Sequence, residues 1–197
     1  MTKAERTRQM IIEQAAPIFN EKGIAGTSID DVLKAAHVAK GCLYGHFDSK
    51  EALSLATVDY MLLKMGDATA FSMQHHTTAK SKLLAFMDLY KDPLNSIFRG
   101  GCPIMNFSTE ADDTNPCIQQ KMQSFIGDAT EQFIAIVKEG IANGEFSTTL
   151  NAEGFATKMF AAIEGGNMIC RVMKSSQPMQ TIIKSLKEEL NTYCTLK

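Results

Sequence analysis

The polar chemistry of the first fifty residues gathers in 40-KGCLYGHF-47 and at Lys50. Leu43 and Phe47 are spaced i, i+4, so on a helix they share one face and turn it toward a core. Lys40, Tyr44 and His46 are then left outward, each able to donate to an anionic oxygen. Such donors grip a phosphate backbone and fix its register without reading its sequence. Lys50 adds a charge in the first turn of the next helix. The helix N-termini behind Thr27 and at Lys50 offer further backbone N–H groups to phosphates.

A second reactive pair is Cys102 and Cys117. Each adjoins a proline, Pro103 or Pro116, of the kind that opens a helix. A helix N-terminus favours the thiolate form of a cysteine, and Arg99 would add to this if it folds back nearby. A thiol oxidoreductase built on Cys102, with Cys117 as resolving partner, is the alternative reading, although no base adjoins either thiol. The chain has no GxSxG, HExxH, glycine-rich phosphate loop or dinucleotide fingerprint. His75-His76 reads as a solvated pair in a connection. The expectation is therefore a protein that is not an enzyme and has neither metal nor cofactor.

The elements that must carry these residues are helical. The 197 residues are 45% hydrophobic, enough for a packed core. No window approaches the roughly 20 apolar residues of a membrane span, and the N-terminus lacks a signal-peptide pattern. Five cysteines with no CxxC pair form no disulfide framework, as expected of a cytosolic chain. The formal net charge is −2. Residues 1–50 hold seven Lys/Arg against six Asp/Glu, so the positive side of the balance lies at the N-terminus.

Thr2 and Glu5 have capping-box spacing at the start of a first helix, which Gly23 ends and Pro17 should kink. Thr27 opens a second helix with Asp30, His37 occupies a turn, and a third helix runs over 40–47. Asp48 caps a fourth helix with Glu51, running to about residue 72. Helices follow at about 78–98, 103–110, 116–143, 151–174 and 178–194, with Pro93 breaking or bending the first of these. No strand pattern is present. The class is all-α with about nine helices. Residues 1–50 make a helix-turn-helix domain, and residues 51–197 a second domain. Two short helices joined by a tight turn can place the second in the DNA major groove.

The stretch 19-FNEKGIAGTSIDDVLKAAHVAKGCLYGHFDSKEAL-53, above all its LY-x-HF-x-SKEAL block, resembles the DNA-binding domain of the TetR (tetracycline-repressor) family, over residues 8–53. The resemblance implies a third helix that reads the major groove. Its contact positions fall on Thr27, Lys40, Gly41, Cys42, Tyr44, Gly45, His46 and Lys50. Three departures stand out. His37 replaces a turn glycine, Ala39 replaces a capping Ser/Thr, and Gly45 replaces a larger side chain. Few groups remain for bidentate base contacts, so phosphate contacts and DNA shape should carry much of the affinity.

The resemblance further implies an effector pocket in the middle helices. The candidates are Met61, Met65, Phe86, Tyr90, Met105, Asn106, Phe107, Met122 and Phe125, with Gln119 as a further polar contact. It also implies a four-helix dimer interface, for which Phe155, Met159, Ile163, Ile182, Leu186 and Leu190 supply apolar stripes. The segment 99-RGGCPIMNFSTEADDTNPC-117 resembles a GC-x-x-x-N-x-x-x-E stretch of a family subset, some of whose members respond to oxidants or electrophiles. The implied partners are a double-stranded DNA operator, a small-molecule effector and a second copy of the chain, with no membrane. The implied function is a repressor released from a palindromic operator when an effector moves the fourth helix.

Overall fold

The computed structural model describes residues 1–195. Among these, nine α-helices and one 3₁₀ turn form the chain. They are α1 (Lys3–Gly26), α2 (Ile29–Ala36), α3 (Lys40–Tyr44), α4 (Lys50–Met73), α5 (Ala79–Leu89), α6 (Pro103–Ala111), α7 (Pro116–Ala142), α8 (Ala152–Met173) and α9 (Gln177–Thr192). Two compact units result. One holds Met1–Met65 and Ile97–Gln123, and the other holds Gly66–Ser96 and Ser124–Lys197. No described helix is long and apolar enough to cross a membrane.

In the first unit, α1 starts at the expected box: Glu5 N–H donates to Thr2 Oγ1, and Thr2 N–H donates to Glu5 Oε2. Its inner face buries Ile11, Ile12, Ala15, Ala16 and Phe19. The backbone keeps helical dihedrals at Pro17. The break lies instead at Gly23, whose φ of 75° is open to glycine. Thr27 does not open α2. Ser28 is the N-cap and forms the box with Asp31. Thr27 is buried, and its hydroxyl donates to the Gly23 carbonyl at 2.6 Å, closing the break in α1. Ser49, not Asp48, caps α4, with its Oγ accepting from Ala52 N–H at 3.0 Å.

The second unit is built around Phe86, Phe133, Phe146 and the inner faces of α8 and α9. The Phe86 and Phe133 rings lie 4.2 Å apart, and Tyr90 meets Phe86 edge-on at 5.1 Å. α5 ends at Leu89, short of the predicted 98, and Pro93 opens the separate 3₁₀ turn. The stripes expected to pair two subunits belong to this core. Phe155, Met159, Ile163, Leu186 and Leu190 are all buried within one chain, and Ile182 packs against them. An amphipathic stripe shows which face is covered, not whose chain covers it. The apolar surface of α8 lies at Met168, Ile169, Val172 and Met173, which are 53, 39, 79 and 63% exposed.

Candidate nucleic-acid interface

α2 ends where His37 enters the left-handed region at φ 52°, ψ 41°, a conformation unfavourable for a non-glycine residue by roughly 1–2 kcal/mol. The His37 N–H donates to Leu33 O, and Val38 N–H reaches the same carbonyl at 3.3 Å. This makes the turn. Ala39 then begins α3 with no side-chain cap, as its residue type requires. Its carbonyl accepts from Cys42 N–H at 2.9 Å and Leu43 N–H at 3.2 Å. α3 stops at Tyr44, three residues before the expected end. Gly45, His46 and Phe47 continue as a turn whose amides return to Gly41 and Leu43 carbonyls.

Leu43 and Phe47 are buried and anchor this short rod, each contributing about 1.5–3 kcal/mol on burial. The Arg8 guanidinium sits 4.8 Å above the Phe47 ring, so α1 also holds the turn. Lys40 and Tyr44 project outward, Tyr44 at 43% exposure, with the Lys40 ammonium 6.0 Å from its ring centroid. Gly41 and Gly45 are exposed beside them, while Cys42 and His46 are half-buried. α3 carries no acidic residue. Lys50 is half-buried in the first turn of α4 and lines an open groove of about 420 Å³ with Ile24, Ala25 and Glu110.

Of the expected contact positions, then, all but Thr27 flank one surface segment, residues 40–50. Thr27 is turned inward. α2's first turn carries Asp30 and Asp31, which makes it a poorer phosphate site than α3. Asp31 is held by the Lys22 ammonium at 2.8 Å and by Ser28, and these hydrogen bonds keep its carboxyl well below the ordinary 3.8. A lowered folded value means that this support for α2 is complete above pH about 4 and fades only as the pH falls through the depressed value.

A Cβ added at Gly41 would meet nothing within 4 Å. Gly41→Ala should therefore stabilise the unit by about 0.4–1 kcal/mol, because it restricts the unfolded chain. If the α3 backbone approaches DNA at Gly41, the same change lowers DNA affinity. Thermal melting and fluorescence anisotropy together read this opposite pair of effects.

The pocket candidates divide between the units. Met61, Met65, Met105, Asn106, Phe107 and Met122 belong to the first, and Phe86, Tyr90 and Phe125 to the second. Met61, Met65, Phe86, Phe107 and Met122 are buried. Asn106 is committed elsewhere: its amide donates to Asn20 O at 3.0 Å, Asn20 Oδ1 at 3.0 Å and Gly100 O at 3.1 Å. Gln119 donates to Asp112 O at 2.7 Å, and the Tyr90 hydroxyl lies 3.2 Å from Thr69 Oγ1. Cys102 is buried at the N-cap of α6, and Cys117 is exposed in the first turn of α7. Arg99 does not turn to either thiol as its main partner. Its Nε is 2.5 Å from Glu21 Oε1.

Sequence reasoning missed the polar contacts that join α6 to α1. Cys102, Asn106 and Glu110 are spaced i, i+4, i+8 along one helical face, a spacing that marks a common side of α6 but not its partner on α1.

Residues 11–57 match the family model described as bacterial regulatory proteins, tetR family. Residues 79–186 match the model described as tetracyclin repressor-like, C-terminal domain. The crystal structure of a TetR-family transcriptional regulator from Cytophaga hutchinsonii is 35% identical, with a TM-score of 0.93 over 100% of this chain and 99% of that one. One from Chloroflexus aurantiacus is 33% identical, with a TM-score of 0.95 and full coverage of both chains. The transcriptional repressor NemR of Escherichia coli is 23% identical over 94% of each chain. The C-terminal model alone spans more than half of the chain, and its N-terminal partner falls on the segment that carries Lys40 and Tyr44. The protein belongs to the TetR family of bacterial transcriptional regulators.

Proposed function

We propose that the chain is a cytoplasmic, homodimeric transcriptional repressor, and not an enzyme, that leaves a palindromic operator when a small molecule acts on it. The observation that carries this reading is the outward pair Lys40 and Tyr44 on α3, held in place by buried Leu43 and Phe47. Gly41, Cys42, Gly45, His46 and Lys50 complete the DNA-facing segment. Residues 1–50 serve DNA binding, and residues 51–197 serve effector binding and pairing. The effector meets apolar side chains drawn from Met61, Met65, Met105, Phe107 and Met122, which belong to one unit. An electrophile or oxidant acting at Cys102 is the finer version of the same reading, with Cys117 as a second thiol.

Two copies pair through the exposed α8 face, since an apolar patch of that kind on a charged surface calls for a partner. Val172, 79% exposed, is its most prominent member. Sedimentation should give a dimer at micromolar concentration for the wild type and a monomer for Val172→Asp. The monomer should bind a palindromic duplex on the order of 100-fold more weakly, because the second half-site no longer benefits from linkage. A wild-type monomer that binds the palindrome with full affinity would overturn the proposal.

A further inference from the structure

The break in α1 at Gly23 leaves the amides of residues 24 and 25 without helical partners, just before the helix-turn-helix. They are taken by a side chain 85 and 86 residues away in sequence. Glu110 Oε2 accepts from Ile24 N–H at 2.8 Å, and Glu110 Oε1 accepts from Ala25 N–H at 2.7 Å. The carboxylate lies flat against Gly23, where a Cβ would stand 2.9 Å from Oε2 and 3.1 Å from Oε1. On the carbonyl side of the same break, Gly23 O accepts the Thr27 hydroxyl. Thus a carboxylate from α6 caps the short turn 24–26 from which α2 departs.

The other end of α6 is fastened to α1 as well. Asn20 is buried, and its amide donates to Arg99 O at 2.8 Å and Gly101 O at 2.9 Å. The Asn106 amide returns to Asn20 and to Gly100 O. Gly100 lies so close to α1 that a Cβ there would stand 2.8 Å from Asn20 C. Two attachments along α6, one at Asn106 and one at Glu110, prevent α6 from turning without carrying α1 with it. A carboxylate on two consecutive amides is a charge-assisted, geometrically strict contact.

We infer that Glu110 is a positioning residue for operator binding: its carboxylate, carried on a helix that Asn106 and Asn20 fasten to α1, sets the angle at which the Gly23 break presents α2 and α3. This rests on the DNA-binding reading above and assigns its control to α6. Any displacement of α6 withdraws the cap from Ile24 and Ala25 and releases α2 and α3 from their pose. Glu110 itself touches no DNA.

The test uses full-length protein and a duplex selected by the wild type from a random pool. Glu110→Gln keeps the shape but sets an amide group against the two N–H donors. Glu110→Asp keeps the charge but is one methylene short. Both are measured well below their melting temperatures. The expectation for Glu110→Gln is about a tenfold loss of operator affinity, within the usual range of coupling between sites. Affinity for random duplex and the salt dependence should be unchanged, because no phosphate contact is removed. Amide exchange at Ile24 and Ala25 should quicken while Leu43 stays protected, and Glu110→Asp should fall between wild type and Glu110→Gln. If the exchange quickens but operator affinity stays within about twofold of wild type, the cap is only structural and the inference fails. Should Glu110→Gln not fold, Glu110→Asp gives the same comparison. A wild type that selects no duplex would instead refute the DNA-binding reading.

Discussion

Replacing Lys40 and Tyr44 together by alanine is expected to lower affinity for every duplex, cognate or random, by roughly 10–100-fold at moderate salt. The reason is geometric. Both side chains leave the exposed face of α3, and neither is needed for the fold, since Leu43 and Phe47 form the buried face. Losing the Lys40 charge should also flatten the plot of log affinity against log salt by about one unit per subunit. Tyr44→Phe alone, which removes one hydroxyl donor, should show a smaller loss with an unchanged salt slope. Melting temperature should be nearly constant across the set. A double variant that discriminates between sequences differently from wild type would mean that these residues read bases.

The largest loss of stability is expected from Gly100→Ala. Gly100 has φ 99°, a region that side chains rarely adopt, and its Cβ would lie 2.8 Å from Asn20 C and 2.9 Å from Glu21 N. Those neighbours are backbone atoms of α1, which cannot move aside as a flexible side chain would. Strain and overpacking together should cost about 2–4 kcal/mol. For a chain of this length that is a fall of roughly 5–15 °C in melting temperature. The contrast with Gly41→Ala is instructive: the same residue change lies 2.8 Å from backbone in one place and in open space in the other. Differential scanning calorimetry of the two variants checks both signs.

The all-helical class and the helix-turn-helix were legible because their signals are local. The i, i+4 pair of Leu43 and Phe47, the polar residues between them and the turn at His37 lie within a dozen positions. The cap residues were displaced by one position for a reason that is also visible in the sequence. Thr27-x-x-Asp30 and Ser28-x-x-Asp31 are equally good boxes, and Ser49 competes with the Asp48-x-x-Glu51 box as a simple cap, since Ala52 stands three residues after it. Only the burial of Thr27 against Gly23 O decides the first case, and that depends on the break in α1.

The faces of α8 and α9 are apolar as expected and are covered mostly within the chain, and periodicity carries no information about which chain supplies a partner. The Asn20, Asn106 and Glu110 contacts were out of reach for a different reason. Each spans some 80 residues or more, and a lone buried Asn or a helical Glu gives no hint of what it will meet. The GC-x-x-x-N-x-x-x-E spacing drew attention to the thiol, whereas its Asn and Glu turn out to be the residues that bind α6 to α1.

In the proposed function α3, carrying Lys40 and Tyr44, lies along a DNA groove in a twofold pair of chains. Recovery of bound duplexes from a random pool tests it most directly. An inverted repeat is expected, with half-sites centred about 34–36 Å apart or at a multiple of that spacing. A pool with no enriched sequence, or a single unrepeated site occupied by one copy of the chain, would contradict it.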